Sequence, residues 1–477
     1  MTKDAAPLKY VWYGDDFTGA SDTLATFASA GLRALLCLGV PDADRLATLG
    51  GMDAVGVAGA ARTMSPDAMI GELEPVARYA AASGAPFLHY KCCSTFDSSP
   101  TTGSLGAAMR ILKRHARNRF TPIVGGQPNL ERYCAFGNLF AAAGQGGDVF
   151  RLDRHPTMSR HPSTPMGEAD LRRHLRAQGV ENITLVDWRA LGRAADSELE
   201  ALIDESVAND DDAILFDVLD DSHLAQIGAL LWRRALQEPL LAVGASSVAQ
   251  ATISYWRQIG WAPETLPQTA VEPAEGPVFA LIGSRSPVTA RQAAVALGSV
   301  DGFYHGVGLN VSRHHRRCLD IEEQAAMCAR LLNQGDSVLA YLGPVAEGGP
   351  SPIEVARACG HLLKRVLARA PHVRRVGIAG GDTSSMAVEA LGIWALGFVG
   401  TLAPGVSLTR AHADDPRLDG LELMLKGGQM GPSNMFERLL CGTQPESAFE
   451  RSRGSRGENA SKQESGASVL IQSEPKR

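Results

Sequence analysis

The chain has 477 residues, 45% of them apolar and 21% charged, which is enough for two or three globular domains and makes a single core unexpected. A formal charge of −6 supplies no basic field for a polyanion, so nucleic acid is excluded as the default partner and small molecules are favoured. The eight cysteines form no C-x-x-C pair, and Cys92 and Cys93 are neighbours. That argues against a zinc framework or a secreted disulfide scaffold and for a reducing cytoplasm; with no signal-peptide pattern and no apolar run of the roughly 18 residues that cross a bilayer, no membrane partner is expected.

From the N-terminus, short apolar runs alternate with longer segments of helical period: "LKYVWYG", "TGASDTLATFASAG", "LRALLCLG", "DAVGVAG", "SPDAMIGELEPVARYAAASG", "PFLHYK", "TGSLGAAMRILKRHARN", "TPIVGG". The alternation predicts βαβ units, hence an α/β fold with mainly parallel sheets. Residues 151–166, rich in His, Pro, Arg and Ser, predict a long excursion, after which "NITLVDW" and "AILFDVL" resume the strands of a first domain spanning 8–259. Pro, Glu, Thr and Gly crowd residues 260–277 and predict a linker. A second α/β domain over 278–441 follows, with strands in "VFALIGS", "SVLAYLG", "VRRVGIAGG" and "WALGFVG". The polar residues 442–477 predict a disordered tail.

Five segments could carry chemistry. Asp15 and Asp16 follow the first strand at its carboxyl end, where open α/β sheets place ligands, and Thr18 and Gly19 open the next helix. Either Asp16 or Thr18 only caps that helix, or one carboxylate faces a cleft as a general base. The stretch "HYKCCSTFDSSPTTGS" sets Lys91, Ser94, Thr95, Asp97 and Ser98 behind another strand, as a solvated loop or as a ligand site, because a Lys ending a buried strand needs an anion nearby. In "VGIAGGDTSSM", Gly380, Gly381, Asp382 and Thr383 join a strand to a helix start suited to phosphate, though the pattern is neither Walker A nor G-x-G-x-x-G and a turn capped by Asp382 would read the same. Gly283, Ser284 and Ser286 form a second such turn, and Lys426 precedes Gly427, Gly428 and Gly431 in a third. Together they suggest a nucleotide cleft. The histidines lack partners at ligand spacing, so no protein metal site is expected, and no G-x-S-x-G elbow is present.

In this order the segments resemble the four-carbon acid sugar kinase family over about residues 8–440. The resemblance rests on Asp15, Asp16, Thr18, Gly19, Ala20 and Asp22; on Arg132, Gly137, Leu139 and Phe140; on His161 to Met166; on Gly283 to Ser286 and Gly380 to Thr383; and on Pro404 to Val406 with Lys426 to Gly428. It implies an N-terminal sugar-acid domain, a C-terminal ATP domain and an interdomain active-site cleft. It places Asp15, Asp16 and Lys91 in catalysis, Thr18, Ser94, Thr95 and Arg132 on the substrate, and Ser284, Gly380, Gly381, Asp382, Thr383 and Gly428 on ATP, whose phosphates would carry Mg2+. The sequence departs from the family where Cys93 stands in place of an Asp, where the Arg has become Asp97 or been lost, and where "KGGQMG" replaces Lys-Ser-Gly-Asn-Phe-Gly. The resulting expectation is an ATP-dependent kinase for a primary hydroxyl of a small sugar acid: threonate, erythronate, 3-oxo-tetronate, or a branched or keto acid such as 3-oxo-isoapionate. A catalytically inactive sensor of the same fold is the alternative, a dehydrogenase is disfavoured by the missing dinucleotide fingerprint, and a homo-oligomer is compatible with the sequence.

Overall fold

The computed structural model describes residues 7–443 except 117, 145, 162, 194, 265–269, 299–301, 312–319 and 344–348. The chain divides into two compact units, Met1–Leu266 and Pro267–Arg477. Most of the tail expected from Gly442 lies outside the described residues.

In the first unit the strands are β1 (Tyr10–Gly14), β2 (Ala34–Cys37), β3 (Ala54–Ala58), β4 (Phe87–Lys91), β5 (Thr121–Val124), β6 (Arg132–Ala135), β7 (Asn138–Ala142), β8 (Val149–Arg151), β9 (Ile183–Val186), β10 (Ala213–Phe216) and β11 (Leu240–Gly244). Eight of them form a parallel sheet in the order β2-β3-β1-β4-β11-β5-β10-β9. β1 is buried along its whole length because helices cover both faces, which is why it reads as an unbroken apolar run. Its alternate side chains serve two cores. Tyr10 and Trp12 pack on Phe27 of the helix Phe17–Ala28, while Val11 and Tyr13 join Met69, Leu73 and Val76 of the helix Pro66–Ser83. Trp232 and Trp256 meet edge to face at 4.9 Å behind Tyr10 and Phe87. Gly14 is level with both Ala58 and Lys91, so the segments leaving β1, β3 and β4 emerge side by side. The chain runs from β1 outward to β2 and β3 on one side and to β4 on the other, which makes the β1/β4 boundary a topological switch point.

β6, β7 and β8 form a small antiparallel sheet. Its first turn holds Phe136 and Gly137 at φ of 52° and 77°, and the Asp217 carboxylate accepts both of their N–H groups, at 2.6 and 2.9 Å. Gly137 thus serves the hairpin. The excursion at 151–166 contains the single turns Leu152–Arg154 and Met158–Arg160, organised by buried His155, whose Nδ1 accepts from the N–H groups of Thr157 and Met158 while Nε2 donates to the Ala142 carbonyl.

The second unit contains β12 (Val278–Ile282), β13 (His305–Leu309), β14 (Val338–Leu342), β15 (Arg375–Ala379), β16 (Ile393–Ala403), β17 (Val406–Ala413) and β18 (Glu422–Lys426). β13-β14-β12-β15-β18 run parallel, and β17 and β16 continue the sheet antiparallel. Its switch point lies between β12 and β15. Part of the stretch read as linker is built into this unit: Val271 is fully buried, Ala274 N–H donates to the Leu440 carbonyl, and the Glu272 carbonyl accepts from Arg375. Thr443 closes the same strap, its N–H donating to the Val271 carbonyl and its Oγ1 accepting from Val271 N–H, both at 2.9 Å. The composition of the stretch hid one apolar anchor and its paired backbone. Among the described residues no helix is long and apolar enough to cross a membrane.

Candidate active site

At the β1/β4 switch point of the first unit the two adjacent carboxylates occupy different environments. Asp15 is buried, its side chain 4% exposed, whereas that of Asp16 is 31% exposed. Arg62, in the short turn after β3, joins them: Nη2 donates to Asp15 Oδ1 at 2.9 Å, Nε to Asp15 Oδ2 at 3.4 Å and Nη1 to Asp16 Oδ2 at 2.8 Å. The backbone repeats the link, with Arg62 N–H on the Asp15 carbonyl. Asp16 Oδ1 accepts the Gly19 N–H at 2.7 Å, so Asp16 does cap the helix Phe17–Ala28. That leaves its exposed face open. Burial drives the Asp15 carboxyl upward against the pull of Arg62 and Lys91.

Lys91 ends β4 with 5% exposure, and its ammonium lies over the backbone of Gly19, where a Cβ would stand 2.0 Å from Nζ and 2.5 Å from Asp16 Oδ1. A side chain at this position would have to displace the lysine's end. Burial opposes the charge on Lys91, but Asp16 and Asp15 outweigh it and raise its pKa above the ordinary value. Thr18 is half-buried in the first turn of the same helix.

The loop after β4 is internal, not solvated. Thr95 Oγ1 donates to Asp97 Oδ1 at 2.7 Å, Cys93 Sγ lies 3.0 Å from Thr95 Oγ1, and Phe96 is fully buried at a φ of 53°. Ser98 meets His174 and Gln178 at 2.8 Å each. Although burial opposes it, the Asp97 charge is held by Arg62 and by hydrogen bonds from Cys93 and Thr95, leaving its pKa below the ordinary carboxylate value. Burial pushes the Cys93 thiol up to about 11. Ser94 is half-buried in the turn. Arg132 opens β6 with Nη1 on the Leu130 carbonyl at 2.7 Å, while its buried Nε has no hydrogen-bond partner among the described residues. Its pKa is lowered by burial, with Cys93 close enough to bear on its charge.

In the second unit, turns leave the adjacent strands β12, β15 and β18 at one edge. Gly380 has a φ of 130°, and a Cβ on it would lie 3.1 Å from Ser284 N; a Cβ on Gly428 would fall 2.2 Å from Ser284 Oγ. The three turns are therefore in contact at the β12/β15 switch point. Gly380 caps the helix Gly381–Leu391 without any side-chain acceptor, so the reading in which Asp382 caps this turn is not what forms. The first bond into this helix runs from Ser384 N–H to the Gly380 carbonyl, which leaves the N–H groups of Gly381, Asp382 and Thr383 for a ligand. Asp382 and Gly381 are exposed, and Thr383 is buried against Gly283. Open space faces Gly381, where a Cβ would meet nothing within 4 Å.

Arg62 is the residue that sequence reasoning missed. It stands in "AARTM", which carries no motif, and only the placement of β3 beside β1 brings it to the aspartates. His174 and Gln178, which hold Ser98, are likewise supplied from a distant helix and turn.

Residues 10–252 match the family model of a sugar-binding N-terminal domain and residues 279–436 that of a nucleotide-binding C-terminal domain. The chain is 40% identical to the 3-oxo-isoapionate kinase of Paraburkholderia graminis, over 90% of this chain and 94% of that one. It is 30% identical to the 3-oxo-tetronate kinase of Methylobacterium radiotolerans, over 89% of this chain and 97% of that one. The fold matches the crystal structure of a Haemophilus influenzae protein of the DUF1537 family with a TM-score of 0.68 at 23% identity, across 90% of this chain and 98% of that one. With both halves matched in order, the paired aspartates at the switch point of the first and the glycine turns at that of the second, the chain belongs to the four-carbon acid sugar kinase family.

Proposed function

We propose that this protein is an ATP-dependent sugar-acid kinase that phosphorylates a primary hydroxyl, with 3-oxo-isoapionate as its preferred acceptor over four-carbon acids such as 3-oxo-tetronate, threonate or erythronate. The observation that carries the chemistry is the division of labour between the aspartates: one carboxylate buried on Arg62, its neighbour held by the same guanidinium but open to a ligand. Asp16 is the base, removing the acceptor hydroxyl proton at its exposed carboxylate. Asp15 fixes Arg62, and Arg62 fixes Asp16. Lys91, kept protonated beside them, offers a positive charge to the anionic reactants, and Thr18, Ser94, Thr95 and the free Nε of Arg132 offer hydrogen bonds to the sugar acid. The preference among acids follows the greater identity to the 3-oxo-isoapionate kinase.

The second unit fits a polyphosphate: Ser284, Gly380, Gly381, Asp382, Thr383 and Gly428 line turns with unpaired N–H groups and open space. ATP with Mg2+ supplies the phosphoryl group and offsets its charge. Among the described residues no group of three or more His, Cys, Asp or Glu could hold a metal, so Mg2+ would arrive on the phosphates with Asp382 as its exposed carboxylate. Cys37, Cys92, Cys93, Cys134 and Cys328 are free thiols, in keeping with a cytoplasmic enzyme. A coupled ADP-release assay over a panel of four- and five-carbon sugar acids tests the reading. The highest kcat/KM is expected with 3-oxo-isoapionate. Binding of both ligands without turnover of any acid would make the protein a sensor.

A further inference from the structure

The glycine turn after β18 is held in an unusual way. Lys426 is fully buried, and its Nζ donates to Thr289 Oγ1 and to the Gly427 carbonyl, each at 3.1 Å. Thr289 Oγ1 in turn donates to the Gly428 carbonyl at 2.7 Å. From the next turn of the helix Pro287–Gly298, Gln292 Nε2 donates to the carbonyls of Met430, Gly431 and Pro432 at 3.0, 2.8 and 2.9 Å. This fixes the amide orientation and leaves Gln292 Oε1 a buried acceptor with no donor among the described residues. Almost every carbonyl of the turn is thereby drawn to one side. In a planar trans peptide the following N–H points the opposite way, so the N–H groups of Gly428, Gln429 and Gly431 are presented on the other face. Such a row of N–H donors suits an anion.

We infer that Lys426 is the buried counter-charge of the nucleotide phosphates, a positioning residue that acts through the glycine turn it organises with Thr289 and Gln292. The inference rests on the ATP reading of this unit. A buried ammonium without a carboxylate partner is costly, and a polyphosphate beyond the turn would supply the missing negative charge. The groups that Nζ meets are neutral: the Thr289 hydroxyl from the helix and the Gly427 carbonyl of the turn. Burial alone, with no ionisable neighbour on β15, β17 or the helix Gly381–Leu391 contributing, brings the Lys426 ammonium down to about 8. Phosphate binding favours the protonated form, so ATP affinity is complete below that value and falls as pH rises through it.

Calorimetric titration of the full-length protein with Mg-ATP at pH 7 and pH 9 tests this. Wild-type Kd should rise severalfold between the two, toward the limit of roughly tenfold per pH unit above the pKa. Lys426→Met, which keeps length and removes the charge, should bind about tenfold or more weakly at pH 7 and lose the pH dependence, with a melting temperature equal to or above that of the parent because no unpaired ammonium remains buried. Gln292→Met should weaken binding at both pH values and keep the dependence on pH, which tests the turn even if Lys426→Met fails to fold. Wild-type protein that binds no ATP overturns the ATP reading and this inference with it. Wild-type binding that Lys426→Met leaves unchanged in strength and pH profile overturns this inference alone.

Discussion

Arg62 grips Asp15 through two nitrogens, Nη2 on Oδ1 at 2.9 Å and Nε on Oδ2 at 3.4 Å, in a site where the carboxylate is 4% and the guanidinium 21% exposed. Removing the cation strands a buried carboxylate. Arg62→Met should therefore cost on the order of 3 kcal/mol, the lower end of the range for breaking a buried pair because part of Arg62 is solvated. Adding Asp15→Asn should restore much of that stability and none of the activity, read by urea denaturation and by turnover. Equal stability of Arg62→Met and the parent would show that the pair contributes nothing to the fold.

Asp16 both caps a helix and faces the open site, and asparagine separates the two roles because it caps about as well as aspartate. Asp16→Asn should keep its melting temperature and ATP affinity while kcat falls by roughly two to four orders of magnitude. Asp15→Asn should lose stability as well as rate. Near-normal turnover of Asp16→Asn would return that residue to capping alone.

Gly381→Val tests the phosphate turn by volume. The new Cβ meets no protein atom within 4 Å, so the variant should fold like the parent, and the backbone strain belongs to Gly380 with its φ of 130°. The side chain would occupy the space before the unpaired N–H groups, raising the KM for ATP tenfold or more while sugar-acid binding to the first unit persists. Unchanged ATP affinity would place the phosphates elsewhere.

Truncation locates the end of the second unit. A chain ending at Thr443 keeps both hydrogen bonds to Val271, whereas one ending at Cys441 loses them and should be less stable by about 1 kcal/mol per bond. Comparing the two melting temperatures checks this, and identical values would show that the strap does not depend on Thr443.

Much of this was legible in the sequence because parallel strands buried on both faces are written as apolar runs, and the turns that follow them carry the polar groups. Asp15, Asp16 and Lys91 in the first unit, and the three glycine turns in the second, were all read at strand ends, where each unit's own strand pairing sets its own group side by side. Strand order was not written there. Arg62 reaches the aspartates only because β3 pairs with β1, and Ser98 is held by His174 and Gln178, some 76 and 80 residues away along the chain. The loop after β4 read as a choice between solvent and ligand because Thr95, Asp97 and Ser98 are polar, yet inside the unit Thr95 donates to Asp97 and Ser98 to the Phe96 carbonyl. Asp382 read either as part of a phosphate turn or as a cap, and the helix begins on Gly380 with no side-chain acceptor.

The most direct test of the kinase reading is the product itself, measured by phosphorus NMR after incubating the protein with Mg-ATP and 3-oxo-isoapionate. The account predicts ADP and a phosphate monoester of the sugar acid in equal amounts with the parent, and neither at a comparable rate with Asp16→Asn. ADP accompanied only by free phosphate, or no turnover with any sugar acid, would contradict it.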